Sequence, residues 1–250
     1  TMMGDENPLL LDFKFNGWGE KFEAVLDNAI NKQLYKSGIV KGEYGDHSSF
    51  ILEGGSIESD GKGSILTTES CLLASHRNQP LNKMDIEERL KNFFQADQIL
   101  WLKHGHLSGD DTDGHIDTLA RFCPNDTIAY VQCTDKNDGH YEALLKMEEE
   151  LKELRTLDKR LYRLLPLPMT DAIYENEERL PATYANFLVI NGAVLYPTYN
   201  QPEKDAKAGD VLKQAFPKEE IIGIDCRALI KQHGSLHCVT MQYPAGIIQS

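Results

Sequence analysis

Basic residues are scarce in this sequence of 250 residues, and their scarcity excludes one large class of functions. Lys and Arg together number 26, against 39 Asp and Glu, so that the formal net charge is −13 at pH 7. An acidic chain repels phosphate groups, which argues against a nucleic acid or an anionic membrane surface as its main partner. A small cationic molecule is a suitable partner for such a surface.

The sequence also lacks paired cysteines. Its five cysteines are an odd number, widely spaced, and include neither a C-x-x-C motif nor a zinc-finger arrangement with histidine. No apolar run approaches the length of a membrane span, and the first residues lack the basic and apolar regions of a secretory signal peptide. These features predict a cytoplasmic protein with free thiols.

No Pro/Gly/Ser-rich or low-complexity segment divides the chain, so we predict one domain over residues 1–250. Short β-rich runs alternate with amphipathic helices, which indicates an α/β fold. The predicted strands are Ser49–Leu52, Ser64–Thr68, Ile99–Leu102, Ile128–Cys133, Leu161–Leu165, Phe187–Ile190, Ala193–Tyr196 and Ile221–Ile224. The predicted helices are Glu20–Gln33, Met84–Phe94, Tyr141–Thr156 and Asp205–Phe216, with a further helical segment over Thr118–Phe122.

Two segments of the chain resemble each other. The first segment consists of Gly63-Ser-Ile-Leu-Thr-Thr, a predicted helix and Gln98-Ile-Leu-Trp. The second consists of Gly192-Ala-Val-Leu-Tyr-Pro, a predicted helix and Glu220-Ile-Ile-Gly. Both are strand, helix, strand. Units of this kind suggest repeats packed around a common axis.

Cys238 is a candidate nucleophile because it follows a Gly234-Ser235 turn and leads into a β-rich run. The alternative for any single cysteine is a buried structural thiol, and that alternative is favoured for the other four, which lie in apolar periodic runs. Neighbouring His237 is expected to face away from Cys238, since successive side chains of an extended segment point to opposite sides.

A dense acidic cluster lies between Asp110 and Asp117, with His115 inside it. An EF-hand calcium loop is excluded because its residue order and final Glu are absent, but an acidic turn at a helix N-terminus stays open. In an extended backbone His115 and Asp117 project to the same side, so one site could hold both side chains. A third element is Glu53, which ends an apolar strand before Gly54 and Gly55 and would be costly to bury without a partner.

Together, these three elements resemble the guanidine-modifying (pentein) superfamily. The closest resemblance is to the family of agmatine deiminases and bacterial, Porphyromonas-type peptidylarginine deiminases. Further matches occur in the family's order, so that the resemblance covers nearly the whole chain. They are Leu11–Gly19, Gly63–Leu73, Arg77-Asn78 and Thr112–Asp117.

The resemblance implies a pentein-type α/β propeller of pseudosymmetric ββαβ units around a central active site. It implies Cys238 as the nucleophile, His115 as the proton carrier, and Asp117 and Glu53 as catalytic and guanidinium-binding residues. Trp18, Asp111 and Asp113 are then substrate-binding residues.

The implied reaction converts agmatine to N-carbamoylputrescine and ammonia through a covalent S-alkylthiouronium on the cysteine, a step of putrescine and polyamine biosynthesis. No metal or organic cofactor is required. Thiolate formation could depend on His115 as an imidazolium or on the positive charge of the substrate.

Members of this family carry an upstream Asp-x-Trp-x-Arg-Asp-x-Gly-Pro motif that has no counterpart here, so we expect the propeller to be incomplete at its N-terminus. Two alternatives to agmatine deimination stay open: deimination of free or peptidyl arginine, and a catalytically incomplete fragment that binds a guanidinium ligand. Arg77 and Arg121 could hold a substrate carboxylate, although surface ion pairs are the more usual role of such arginines. Homo-oligomerisation also stays open.

Overall fold

The structure is a computed structural model that describes residues 2–3 and 8–248, and it has the predicted mixed α/β fold. The strands are β1 (Met2–Met3), β2 (Leu9–Lys14), β3 (Glu43–Ile51), β4 (Ile57–Ser59), β5 (Ser64–Thr68), β6 (Gln98–Leu102), β7 (Ala120–Cys123), β8 (Thr127–Gln132), β9 (Arg163–Pro168), β10 (Tyr174–Glu175), β11 (Glu178–Arg179), β12 (Leu188–Ile190), β13 (Ala193–Thr198) and β14 (Glu220–Asp225). The helices are α1 (Gly17–Glu20), α2 (Val25–Lys36), α3 (Glu69–Leu72), α4 (Lys83–Phe94), α5 (Tyr141–Glu153) and α6 (Pro202–Ala215). Short 3-10 helices cover Gly54–Ser56, Ile116–Thr118, Leu229–Gln232 and His237–Val239.

One ββαβ unit recurs four times among the described residues. Each unit begins with two antiparallel strands. A crossover that contains an α-helix follows, and it leads to a third strand that pairs parallel to the second. The resulting sheets have the orders β1-β2-β3, β4-β5-β6, β7-β8-β9 and β12-β13-β14. The strand-helix-strand repeat predicted from the sequence is therefore present.

The register of the sheets also explains why both matched segments begin with glycine. Ser64 pairs with Gln98 and Ala193 pairs with Glu220, which are corresponding positions of the two segments. The preceding residues, Gly63 and Gly192, have φ angles of +104° and +85°. Only glycine adopts such angles without strain, and the carbonyl of each accepts a hydrogen bond from the first residue of the parallel strand.

The chain divides into two compact units. The first comprises Thr1–Gly54, Leu72–Ala96 and Met241–Ser250, and it contains the β1-β2-β3 sheet. Within it Phe93 of α4 packs edge-on against Phe13 and Phe50, with ring centroids 5.1 and 5.3 Å away. Helix α4 begins at a capping box in which Asn82 and Asp85 exchange side-chain and backbone hydrogen bonds.

The second unit comprises Gly55–Cys71 and Asp97–Thr240 and contains the other three three-stranded sheets. Its core is formed by the apolar faces of α5 and α6 and by strand β8, which is buried except at its last residue. Helix α5 contributes Leu144, Met147 and Leu151 at steps of three and four residues. The loops after β6 and β14 hold the site described below.

Most helices and central strands lie within a few residues of their predicted bounds, but one segment was predicted wrongly. Thr118–Phe122 is not helical: a 3-10 turn ends at Thr118, and β7 begins at Ala120. Pairing with β8, at Ala120 with Tyr130, stabilises an extended backbone that local periodicity does not indicate.

Among residues 2–3 and 8–248, no helix has both the length and the apolar character needed to cross a bilayer.

Candidate active site

Cys238 lies in a 3-10 turn, His237–Val239, and not in the expected extended segment. The turn follows Gly234, where an added Cβ would come within 3.1 Å of the Cys238 Cβ. Successive residues of a 3-10 helix are about 120° apart instead of 180°. The prediction that His237 faces away from Cys238 is therefore wrong, since both side chains approach Asp117.

The sulfur of Cys238 has polar neighbours although the residue is exposed. Sγ lies 3.4 Å from Asn186 Oδ1 and 3.9 Å from Asp117 Oδ2. Burial of the sulfur by surrounding protein and then the charge of Asp117 raise the pKa of Cys238 to about 12. The raised pKa keeps the thiol neutral near neutral pH.

Asp117 is a buried carboxylate on the 3-10 turn Ile116–Thr118. Burial alone would raise its pKa, but the hydrogen bond and charge of His237, with the charges of His115 and Arg121, lower it on balance. His237 Nδ1 lies 2.7 Å from Oδ2 of Asp117. The other oxygen, Oδ1, is buried and has no hydrogen-bond partner among the described residues.

A buried acceptor without a donor costs free energy, so an unsatisfied Asp117 Oδ1 indicates where a ligand N–H would be stabilised. The neighbouring sulfur would then lie close to the same ligand. A planar cation with several N–H donors matches this combination, because bidentate and charge-assisted hydrogen bonds to a carboxylate are the strong ones.

His115 is buried and belongs to the same group. Its backbone N–H donates to Thr112 Oγ1 at 3.1 Å, and its carbonyl accepts from Thr118 Oγ1 at 2.8 Å. A Cβ added at Gly55 would lie 2.6 Å from His115 Nδ1 and 2.9 Å from Asp117 Oδ2. The second glycine of the Glu53-Gly54-Gly55 motif therefore leaves room for the side chains of His115 and Asp117.

The acidic loop before His115 is held in place by its own side chains. Asp110 accepts from Thr112 Oγ1 at 2.5 Å and, with its second oxygen, from the Gly114 N–H at 2.8 Å. The Gly114 carbonyl accepts from Thr68 Oγ1 at 2.7 Å, which ties the loop to the end of β5. Asp111 and Asp113 are half-buried on this loop, and Asp110 serves to organise it.

Glu53 and Trp18 belong to the first unit. Glu53 is buried and has a partner, as its burial requires: Arg77 Nε lies 3.1 Å from Oε1 and Nη2 lies 3.1 Å from Oε2. Trp18 is half-buried, with φ of +55°, and its ring lies edge-on to those of Phe15 and Phe22. The catalytic and substrate-binding roles of Glu53 and Trp18 stay predictions.

Both arginines that could have held a substrate carboxylate are buried in ion pairs. Arg77 is bound to Glu53 as described. Arg121 Nε lies 2.8 Å from Glu58 Oε2, while its Nη1 donates to the Phe187 carbonyl at 2.6 Å and its guanidinium lies over the Phe187 ring. These contacts favour the structural alternative for both residues.

The other cysteines fit the structural-thiol alternative. Cys71, Cys133 and Cys226 are buried and Cys123 is half-buried, whereas Cys238 is exposed. Burial raises the pKa of Cys123 to about 12, in a place where no functional group was predicted.

Sequence analysis missed Asn186, which connects the members of the site. It is fully buried; Nδ2 lies 3.2 Å from Asp117 Oδ2, and Oδ1 accepts from the backbone N–H groups of His237 and Cys238 at 2.8 and 3.3 Å. The only local signal is an amide side chain inside the apolar run before β12.

Known proteins are similar to this chain in sequence and in fold. The family model for Porphyromonas-type peptidyl-arginine deiminases matches residues 1–244. A protein of Marinomonas sp. (strain MWYL1), provisionally named an agmatine deiminase, is 34% identical over 93% of this chain and 68% of its own length.

Two solved structures share the fold. A Porphyromonas gingivalis protein, provisionally described as an arginine deiminase, is 54% identical with a TM-score of 0.95, over 99% of this chain and 73% of its own. A cysteine-to-serine variant of C. jejuni agmatine deiminase with substrate bound is 46% identical with a TM-score of 0.84, over 92% of this chain and 67% of its own. The mixed α/β fold of this chain is therefore that of the solved deiminase structures.

Proposed function

Because the chain belongs to the Porphyromonas-type peptidyl-arginine deiminase family, we propose that it hydrolyses the guanidinium group of agmatine to N-carbamoylputrescine and ammonia. It is then a hydrolase of C–N bonds in linear amidines and acts in putrescine and polyamine biosynthesis. The single observation that carries this proposal is the unsatisfied Asp117 Oδ1, buried on a carboxylate whose other oxygen lies 3.9 Å from the Cys238 sulfur.

Binding requires that the guanidinium stay cationic, since its pKa is too high for deprotonation near neutral pH. Asp117 is ionised, because His237, His115 and Arg121 lower its pKa. A guanidinium N–H donated to Oδ1 would satisfy the buried oxygen and pair the two charges. Glu53 is proposed to contribute a second carboxylate to the same cation.

Covalent chemistry begins when the Cys238 thiol loses its proton to solvent and the resulting thiolate attacks the central guanidinium carbon, forming a C–S bond. His115 then gives a proton to one nitrogen, the C–N bond breaks, and ammonia leaves an S-alkylthiouronium. His115 next takes a proton from water, which attacks the same carbon. The C–S bond then breaks, the remaining O–H proton passes to the sulfur, and the ureido product leaves Cys238 as a thiol.

The substrate itself is proposed to promote formation of the thiolate. With its pKa raised to about 12 by burial and by Asp117, Cys238 is almost fully protonated near neutral pH. A bound cation offsets the negative charge of Asp117 and thereby lowers the pKa of the thiol. Of the two sources of activation that the sequence leaves open, these surroundings favour the charge of the substrate.

At the far end of agmatine an ammonium group has to be accommodated. Asp111 and Asp113, half-buried on the loop that Asp110 organises, are proposed to face this ammonium. Trp18 is proposed as an apolar wall for the substrate's methylene chain. The overall propeller of ββαβ units, a single catalytic domain and a cytoplasmic location belong to the same proposal; the five free cysteines support the location.

A second candidate is deimination of free or peptidyl arginine. The family model carries peptidyl-arginine in its name, and the P. gingivalis relative is described as an arginine deiminase. Against free arginine, Arg77 and Arg121 already pair with Glu53 and Glu58. A third candidate, guanidinium binding without turnover, requires only Asp117.

One colorimetric assay for ureido groups separates the three candidates. The purified protein and its Cys238→Ala variant are incubated with agmatine, arginine and a peptidylarginine. Product from agmatine alone, absent with the variant, supports the proposal. Product from arginine or the peptide at higher kcat/KM supports the second candidate, and no product from any substrate, with agmatine binding retained in calorimetry, supports the third.

A further inference from the structure

The two oxygens of Asp117 have different surroundings. Oδ2 accepts hydrogen bonds from His237 Nδ1 at 2.7 Å and from Asn186 Nδ2 at 3.2 Å, and the Cys238 sulfur lies near the same atom. Oδ1 is buried without a partner among the described residues. A carboxylate can rotate about its last bond, so its two oxygens would exchange places unless something distinguished them. Two donors on one oxygen fix which oxygen stays unsatisfied.

Asn186 is oriented by its own contacts. Its Oδ1 accepts the backbone N–H groups of His237 and Cys238, which leaves Nδ2 as the atom directed at Asp117. The side chain is fully buried, so water does not compete for these bonds. The side-chain amide of Asn186 thereby fixes the distance between the turn that holds Cys238 and the carboxylate of Asp117.

His237 also contacts this oxygen of Asp117, through Nδ1. An ionised carboxylate only accepts hydrogen bonds, so Nδ1 of His237 carries the proton in this contact. The donor reaches Asp117 because the 3-10 turn brings residues 237 and 238 to one side.

From this geometry we propose that Asn186 and His237 are positioning residues. They hold Asp117 by Oδ2, beside the nucleophile, and so keep Oδ1 directed at a guanidinium N–H. This inference rests on the proposed function, because it assigns Oδ1 to the guanidinium. Neither residue transfers a proton in the reaction; both act through Asp117, and their loss weakens substrate binding.

Variants of His237 distinguish positioning from proton transfer. The amide nitrogen of asparagine occupies nearly the place of Nδ1 in histidine, while that of glutamine occupies the place of Nε2. His237→Asn keeps a donor for Asp117 but cannot titrate. We expect KM for agmatine within about threefold of wild type in His237→Asn, and about 10- to 100-fold higher in His237→Leu and His237→Gln.

Asn186→Asp separates the two contacts of the buried amide. A carboxylate still accepts the N–H groups of His237 and Cys238, but it replaces the donor to Asp117 by a like charge. We expect KM to rise about 100-fold in Asn186→Asp and by a similar factor in the nearly isosteric Asn186→Leu. If Asn186 only supported the turn, Asn186→Asp would restore the kinetics that Asn186→Leu loses.

His104→Leu is the matched control, since His104 Nδ1 also lies 2.7 Å from a carboxylate oxygen, of Glu150, but on the surface. Its kinetic constants are expected to equal those of wild type. Each variant is first checked for a cooperative thermal transition. If the variants of buried Asn186 do not fold, the variants of partly exposed His237 decide the matter.

Agmatine affinity is also measured by calorimetry with the same substitutions in a Cys238→Ser background, so that the result does not depend on turnover. Suppose that the wild type is inactive but its Cys238→Ser form binds agmatine. If His237→Leu then abolishes this binding and His237→Asn preserves it, the result contradicts the proposed hydrolysis but supports positioning. Normal turnover with unchanged KM in His237→Leu and Asn186→Asp overturns positioning and leaves the hydrolase intact. Loss of kcat in His237→Asn at unchanged KM would make His237 a proton carrier and also overturn it. Absence of agmatine binding in Cys238→Ser overturns both.

Discussion

The hydroxyl of Tyr199 lies 2.8 Å from that of Ser235, and both residues are buried in the second unit. Tyr199 follows the end of β13, while Ser235 lies three residues before Cys238. The Tyr199 oxygen also donates to the Thr183 carbonyl at 2.9 Å and accepts from the Thr183 N–H at 3.1 Å. This contact joins the turn of Cys238 to the core of the unit.

We expect Tyr199→Phe to destabilise the protein, because the change leaves the buried hydroxyl of Ser235 and the backbone of Thr183 without their partner. The free energy of unfolding should fall by about 1–3 kcal/mol, as for other buried groups that lose a hydrogen bond. Urea unfolding followed by circular dichroism measures the change. Tyr174→Phe, at a mostly exposed tyrosine, is the control and should change little; equal stabilities of the two variants would contradict the expected anchoring.

Gly55→Ala tests the space around His115 and Asp117. The new Cβ would lie 2.6 Å from His115 Nδ1 and 2.9 Å from Asp117 Oδ2, both closer than side-chain atoms approach one another, so the functional groups must move. A displacement of about 1 Å in an active site commonly costs about 100-fold in rate, and we expect a loss of that size in kcat/KM.

The matched control is Gly54→Ala, because a Cβ at Gly54 has nothing within 4 Å. Steady-state kinetics with agmatine should leave this variant close to wild type. Similar losses in the two variants would mean that the motif needs glycine for its backbone and not for the space beside His115.

The order of secondary structure was predictable from the sequence, since the parallel strands and amphipathic helices have strong local periodicity. Strands β5 and β13 and helices α4 and α5 have nearly the predicted bounds. The short antiparallel strands β4 and β7 were not predicted, whereas β12 was. Their three or four residues are extended because of pairing with β5 or β8, which lie elsewhere in the chain.

Within the candidate site, the proximity of His115 and Asp117 was predictable because one short motif contains both side chains. His115 and Asp117 are two residues apart, and the structure groups them with distant Cys238. Asn186 escaped notice because its contact with Asp117 joins residues 69 apart, and a buried amide has no motif of its own. The side chain of His237 was predicted on the wrong side because the residues around it have a β-rich composition, which indicates an extended segment, whereas they form a 3-10 turn.

Alkylation of Cys238 by iodoacetamide should respond to the charge of Asp117. Only the thiolate reacts, and a pKa raised to about 12 leaves roughly one part in ten thousand ionised at pH 8, against about a quarter for a free thiol. Without the carboxylate the pKa of Cys238 falls, so we expect Asp117→Asn to be alkylated at least several-fold faster at pH 8.

The same substitution should reduce turnover of agmatine, so that reactivity toward iodoacetamide and catalysis change in opposite directions. Mass spectrometry of the Cys238 peptide follows the alkylation, and Cys238→Ala gives the background from the other thiols. An unchanged alkylation rate in Asp117→Asn would remove the carboxylate as a cause of the raised pKa and leave burial alone.

Arg77→Leu should be among the most destabilising single changes in the first unit. It removes the Arg77 ion pair from Glu53, whose side chain is 4% exposed, so that a buried carboxylate loses a positive counter-charge. Breaking a buried ion pair from one side typically costs about 3–5 kcal/mol. Chemical unfolding measures the loss; Arg227→Leu, which breaks the exposed pair with Asp225, is the control and should have little effect.

Recognition of the second cation of agmatine is testable with a substrate that lacks it. Asp111→Asn and Asp113→Asn remove negative charge from the loop, while the hydrogen bonds of Asp110 with Thr112 and Gly114 preserve the loop's course. If the two carboxylates face the ammonium, each change should raise KM for agmatine about 5- to 10-fold, the usual effect of one solvent-screened charge pair at about 1 kcal/mol. Butylguanidine, which ends in a methyl group, should show no such rise in the same variants. An equal rise for both substrates would mean that the carboxylates act at the guanidinium end or through the loop, because a group that contacts only the ammonium cannot affect a substrate without one.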